Sequence, residues 1–319
     1  MSELSDMVIL DKKSLLKNDR TLLWGNPSAI NLNNSLSFTG GIGNQVAIMI
    51  AGLNQIVAFN QLVELNLKNI AHHMLDRRNT ILGLKFEPHS LVGSVMASPR
   101  SKLPLVRKKR REINSRNPGY DSLIYDRYFG SNISGYFQSY LYKEHLENMI
   151  GQDISIDLQS YRKKFIDLMT HLSIADSLII HIRRGDYRVE SQNRGLLGLG
   201  YYSTAFGMIP RSEYKNIIVM TDAENLEEIS FIKDVCSEVC IIGKDFGLLS
   251  SEILFLMSRA KFLIMANSSL SWSAALFLAN KKQVLYPYRW FRKEENFKLQ
   301  FNPDWIEVKP AATSIWVQS

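Results

Sequence analysis

Residues 178–186, LIIHIRRGD, bring two adjacent guanidinium groups to the end of an apolar run. Leu178, Ile179, Ile180 and Ile182, interrupted by His181, predict a short buried strand bounded by a polar loop that opens at Arg183. Side chains alternate along a strand, so His181 and Arg183 share one face while Ile180, Ile182 and Arg184 start on the other. Gly185 permits a sharp turn, and Asp186 can accept hydrogen bonds from turn amides or from a guanidinium. Two arginines at the carboxyl end of a buried strand are costly without an anionic partner, and phosphate is the usual partner of the guanidinium fork. The competing reading is an Arg-Asp turn closed by its own salt bridge.

Two further corners follow the same logic. Residues 36–39 read as a strand, followed by Gly40, Gly41, Ile42, Gly43, Asn44 and Gln45 and a helix from about Val46. A strand, a glycine turn and a helix N-terminus aim unpaired amides and the helix dipole at an anion. This turn lacks the third glycine of the dinucleotide fingerprint and the Gly-Lys-Ser/Thr of a Walker loop, and a plain tight turn is the alternative. Asn267, Ser268 and Ser269 stand between a predicted strand over 262–266 and a predicted helix over 270–279, with Ser271 and Trp272 just inside it. Helix capping alone is the alternative there. Strand-end sites in open α/β sheets gather along one edge, so the Arg183 and Asn267 corners can face one crevice, which suits a nucleotide diphosphate.

The elements that must hold these corners alternate. An amphipathic helix is predicted over 160–175, a helix opening at Tyr201 and Tyr202, a strand over 216–220 running into Thr221 and Asp222, a helix over 226–236 and a strand over 239–242. A helix over 250–259 and a last strand over 284–286 complete the series, which predicts a parallel sheet in an α/β layer structure. Earlier in the chain, residues 63–67 read as a second strand and less regular sequence runs to about 118. The expected organisation is a leader or peripheral segment over 1–35, an α/β domain over 36–160 and a second α/β domain over 161–319.

The chain has 319 residues, is 45% hydrophobic and carries a net charge of +7, which favours an anionic partner without choosing among nucleotide, membrane surface and nucleic acid. No window approaches the roughly 18 to 20 apolar residues of a membrane span, and no apolar signal core opens the chain, so a cytoplasmic enzyme is the simplest reading. Cys236 and Cys240 fit neither a disulfide framework nor a zinc site, which points to a reducing compartment. The basic run at 107–111 reads first as a solvated loop, next as a contact for anionic lipid at the inner face of the cytoplasmic membrane, and last as a nucleic-acid contact, because no aromatic residue interleaves it. The aromatic patch at 135–142 suits either core or a sugar site. The chain has no Asp-x-Asp pair of the kind metal-dependent transferases use, so activity without a metal is expected.

Four stretches in this order resemble the motifs of the α-1,2-fucosyltransferases, glycosyltransferase family 11: GGIGNQ at 40–45, GYFQS at 135–139, HIRRGDY at 181–187 and MANSSLSWSAA at 265–275. Tyr201, Asp222, the Leu-Met-Ser at 256–258 and Trp290 are smaller matches. The resemblance implies a GT-B-like fold of two Rossmann-like α/β halves, acceptor side first and nucleotide-sugar side second, with the nucleotide site in the cleft. It also implies inverting transfer of fucose from GDP-fucose to a galactoside 2-hydroxyl in a cell-surface glycan such as a bacterial O-antigen, without a metal or other cofactor. The acceptor would be a galactose-terminated, lipid-linked or free oligosaccharide, reached by a protein in peripheral contact with the membrane; no nucleic-acid partner is implied.

Carried over by position, Arg183 contacts the donor diphosphate, with His181 and Arg184 completing its surroundings. Asn267, Ser268 and Ser269 serve the nucleotide side, Tyr201, Asp222 and Trp272 are further substrate-binding positions, and Gly41, Gly43 and Asn44 approach from the other half. Asp186 is the first candidate for the base that takes the acceptor proton, with orientation of Arg183 as its alternative role. The sequence departs from the family where Ile253, beside Glu252, stands for an aspartate, and where Gly200 precedes Tyr201. A related transferase using another sugar nucleotide is therefore the competing enzyme reading, and a basic membrane- or nucleic-acid-binding protein on an α/β scaffold is the competing non-enzyme reading.

Overall fold

A computed structural model of the chain describes residues 21–24, 32–37, 40–59, 62–66, 82–86, 96–97, 111–114, 119–120, 131–151, 153–158, 162–189, 191–192, 194–279, 283–292, 301–310 and 315–317. The basic residues 107–110, and Glu190 beside the arginine turn, lie outside them. The chain divides into two compact units, Met1–Ser160 with Phe297–Phe301, and Tyr161–Asn296 with Asn302–Ser319.

The N-terminal unit contains β1 (Thr21–Trp24), β2 (Leu32–Ser37), α1 (Ile42–Phe59), β3 (Leu62–Asn66), β4 (Leu82–Phe86), β5 (Met96–Ala97), β6 (Arg111–Asn114), β7 (Ser131–Ser134), α2 (Tyr140–Ile150) and β8 (Ile154–Leu158). Six of the strands form one sheet in the order β5-β1-β3-β2-β7-β6. The four from β3 to β6 in that order pair in parallel, while β1 runs antiparallel to β3 and β5. The segment expected as a leader thus supplies β1 and the start of β2, and the sequence expected to be irregular supplies β4, β5 and β6. These strands are two to six residues long, and Lys85 in β4 and Arg111 and Glu112 in β6 add charge, so none shows an apolar run long enough to be recognised as a buried strand. Helix α1 buries Val46, Ile48 and Ile50 together with the polar Asn54, whose amide donates to the carbonyls of Ile50 and Tyr142, both at 2.8 Å. Half of the aromatic patch is core: Phe137 and Tyr142 are buried edge to face at 6.0 Å, whereas Tyr140 is partly buried and Tyr136 half exposed.

The C-terminal unit contains α3 (Lys163–Leu172), β9 (Ser177–Ile182), α4 (Leu199–Gly207), β10 (Asn216–Thr221), α5 (Ile232–Val235), β11 (Cys240–Ile242), α6 (Ser250–Ser258), β12 (Phe262–Ile264), α7 (Ser269–Leu276), β13 (Val284–Pro287) and β14 (Ile306–Val308). Its sheet is parallel throughout, in the order β11-β10-β9-β12-β13-β14. Counted from β9, that is 3-2-1-4-5-6, the doubly wound order whose strand sequence reverses between the first and fourth strands. Every residue of β9 is buried, as expected of a central parallel strand covered on both faces, which is why the sequence reads as a run and not as an alternation. Two expectations differ: β14 follows the strand taken as last, and the helix expected over 226–236 is a 3-10 turn at Leu226–Ile229, boxed by Asn225 and Glu228, followed by the short α5.

Candidate functional site

The reversal point of the C-terminal sheet brings two of the predicted corners together. Ile264 of β12 pairs with Ile180 of β9, so the loops that leave the carboxyl ends of these neighbouring strands carry Arg183 and Asn267. Ligands of open α/β sheets bind in the crevice at this point, because the following connections diverge to opposite faces and leave it open.

At the first corner the Arg183 guanidinium is held by two carboxylates: Nη2 donates to Asp186 Oδ1 at 2.6 Å, and Nη1 meets Asp222 Oδ2 at 2.6 Å. The self-closed Arg-Asp turn is therefore present, with Asp222 from the end of β10 as a second anion. Asp186 is more than half exposed, and its engaged oxygen makes it a partner of Arg183. Asp222 also accepts the main-chain N–H of Arg184 at 2.6 Å, which ties the turn to the next strand. Gly185 is needed for close approach, since its φ is not positive and a Cβ there would lie 2.3 Å from Asp222 Oδ2. Gly185→Ala is expected to displace the Asp222 carboxylate, release Arg183 and cost roughly 2 kcal/mol through the charged hydrogen bonds lost. Chemical denaturation and donor-binding titrations of the variant check both effects.

Arg184 turns inward. Its guanidinium is almost wholly buried and donates to the carbonyls of Arg183 (3.0 Å), Leu197 (3.0 Å) and Glu228 (3.4 Å), with the Phe231 ring 5.4 Å away. Burial pulls its pKa down, opposed by Tyr202, Glu228 and Asp222. It fixes the turn. His181 is also enclosed, and burial, reinforced by the Arg183 charge, pushes its pKa down to about 3. The imidazole is neutral at physiological pH. The unfolded chain protonates this residue near 6.5, so its contribution to stability is complete above that pH and declines as pH falls toward 3. Between pH 7 and pH 5 that loss is about 2 kcal/mol, measurable as a fall in the urea midpoint that is smaller in His181→Gln.

At the second corner the polar side chains hold the protein itself. Asn267 is buried, and its Nδ2 donates to the carbonyls of Arg194 (3.0 Å), Gly195 (3.2 Å) and Trp290 (3.0 Å). Ser268 caps α7 by accepting the N–H of Leu270 at 3.3 Å. Ser271 donates to the carbonyls of Ala266 (3.1 Å) and Ser268 (3.2 Å). Trp272 is fully enclosed, as is Tyr201, whose hydroxyl donates to Met265 O at 2.7 Å and whose pKa burial raises. Half-buried Ser269 occupies the first position of α7, at the helix N-terminus where unpaired main-chain amides collect.

Tyr187 joins the corners. Its hydroxyl donates to Asn267 O at 2.8 Å, and its ring lies 5.4 Å from the Arg183 guanidinium and 5.0 Å from that of Arg194. Burial raises the Tyr187 pKa, partly offset by Arg194, which is hydrogen-bonded to it, and by Arg183. Arg194 was not singled out in the sequence. The adjoining Gly195 is a turn signal, but the 73 residues to Asn267 hide the bond that brings Arg194 to the site.

In the N-terminal unit the first two motifs meet. Gln138 Nε2 donates to Asn44 Oδ1 at 2.5 Å, and Gln45 Nε2 to Gly40 O at 2.9 Å. Phe137 holds φ 52°, unusual for a bulky residue, where it delivers Gln138. The glycine whose backbone demands the type is Gly40, at φ 72°, with Asn44 folded over it; space beside Gly41 is open and Gly43 is buried. Glu252, beside Ile253, is fully buried, accepts Arg162 Nε at 2.7 Å and the N–H of Leu249 at 2.8 Å, and holds α6 in place. Among the described residues no cluster of three metal-ligating side chains occurs, and no helix is long and apolar enough to cross a membrane.

Comparison with known proteins identifies the chain as a glycosyltransferase. The chain belongs to glycosyl transferase family 11, whose model matches residues 122–309. An α-1,2-colitosyltransferase of Escherichia coli is 28% identical over 297 residues, 85% of this chain and 97% of that protein. The O-antigen biosynthesis glycosyltransferase WbnK of Escherichia coli is 31% identical over 157 residues, 48% of this chain and 49% of that one. Among solved structures, the fucosyltransferase NodZ from Bradyrhizobium aligns over 78% of this chain and 94% of its own, with 13% identity and a TM-score of 0.46.

Proposed function

We propose that the protein is a galactoside α-1,2-fucosyltransferase of O-antigen synthesis, transferring fucose from GDP-fucose to the 2-hydroxyl of a galactose-terminated acceptor with inversion. The observation that carries the reading is the adjacency of Arg183 and the Ser269 end of α7 at the sheet's reversal point. The acceptor oxygen forms a bond to the sugar's anomeric carbon as the bond from that carbon to the diphosphate breaks, and negative charge collects on the departing GDP. Oriented guanidinium and amide donors stabilise that charge in the transition state, which is the largest single contribution such a site can make. Arg183 and Ser269 are the donors we assign, with Ser268 shaping the helix end. His181, Arg184, Asp222, Tyr201, Trp272 and Asn267 position them from within. Asp186 orients Arg183, and the acceptor's base is unassigned. Gly41, Gly43 and Asn44 make substrate contacts in the N-terminal unit.

The full-length likeness to a colitosyltransferase favours a second reading, transfer of colitose, which is fucose without its 3-hydroxyl. The test is transfer to an array of galactose-terminated acceptors from GDP-fucose, GDP-colitose and a uridine-linked sugar, in the presence of EDTA, with product masses and linkage analysis. Mass gain of one fucose, linked at the 2-hydroxyl, supports the first reading; gain of one colitose only supports the second. Transfer from the uridine donor alone, or only after manganese is added back, overturns both.

A further inference from the structure

Arg183 serves two carboxylates, Asp186 and Asp222, so a diphosphate arriving at this corner meets a guanidinium whose charge is already balanced. A second guanidinium lies beside the same ring. Arg194 lies 5.0 Å from the centroid of Tyr187, the ring that Arg183 covers at 5.4 Å, and the Tyr187 hydroxyl reaches the Asn267 carbonyl at the start of the Ser269 corner. The Arg194 main chain is fixed there: its carbonyl and that of Gly195 accept the buried Asn267 amide, and Trp316 packs so closely that a Cβ on Gly195 would lie 2.5 Å from the indole. A loop residue is thereby anchored to the end of β12, the strand that forms one side of the reversal point.

We propose that Arg194 supplies a second guanidinium to the donor's diphosphate, and that the Asn267 side chain is the positioning group that holds it there. This deepens the reading of the corner as a diphosphate site and rests on it. It also gives the Asn267 amide a role that does not require contact with the nucleotide.

The test is calorimetric titration of the full chain with GDP and with guanosine, for wild type, Arg194→Gln, Arg194→Lys and the control Arg188→Gln, whose guanidinium pairs with Glu224 and Glu228 on the surface. Arg194→Gln is expected to weaken GDP about 10- to 100-fold while leaving guanosine unchanged, as loss of a charge-assisted bond to phosphate requires. Arg194→Lys is expected to recover part of the loss, and Arg188→Gln to bind GDP as wild type does. Equal losses for GDP and guanosine, or no loss of GDP in Arg194→Gln, overturn the assignment while leaving Arg183 and the diphosphate reading in place. A wild-type protein that binds GDP no more tightly than guanosine overturns that reading as well.

Discussion

Arg183→Ala is expected to lower kcat/KM at least about 10²-fold, the effect of removing one donor aimed at developing oxyanion charge. The loss has two sources. The guanidinium fork that would meet the diphosphate is gone, and Asp186 and Asp222, each held at 2.6 Å by Arg183, remain as uncompensated carboxylates that repel the same anion. Arg183→Lys, which keeps charge without the planar fork, is expected to fall between the two. The fold is expected to survive, because Arg183 is partly exposed and Asp222 still accepts the Arg184 N–H. Steady-state kinetics beside a thermal melt separates these effects, and unaltered kinetics in the alanine variant would remove Arg183 from the site.

Asn267→Asp is expected to destabilise the protein by about 3 kcal/mol or more, although the two side chains have the same shape. The buried amide donates to three carbonyls at 3.0 to 3.2 Å, and a carboxylate oxygen in its place would face three acceptors with no proton to share. Burying such a group costs its desolvation together with the lost bonds. The 194–195 loop and the Trp290 segment are expected to detach from the end of β12 and take Arg194 with them. Urea titration of the purified variant measures the loss. A variant that unfolds like wild type and differs only in donor affinity would instead make Asn267 a ligand contact.

The arginine turn and the Asn-Ser-Ser corner were legible because each follows a strand whose apolar run is complete in itself, at Leu178 to Ile182 and at Phe262 to Ile264. Their adjacency was legible only through the general rule that such corners share an edge. That β9 lies between β10 and β12 is set by pairing across the sheet, and no local spacing encodes it. The direction of each polar side chain was hidden for the same reason. Asn267, Arg184 and Tyr201 have the types that contact a nucleotide, but their partners are main-chain carbonyls from distant segments, such as Arg194, Leu197 and Met265. Gly185 was singled out for a turn, whereas the structure requires it because Asp222 packs against it. In the N-terminal unit, β1 and β4 to β6 escaped because strands of two to five residues carry too short a run to be told from loop sequence.

Hydrogen–deuterium exchange of the full chain with and without GDP, resolved to short peptides, tests most directly that the two corners at the reversal point bind the diphosphate together. The account predicts GDP-dependent protection in both the 183–188 turn and the first turn of α7 at 268–272, diminished in both when Arg183 is replaced by alanine. Protection that bypasses these two segments, or that persists unchanged in Arg183→Ala, would contradict it.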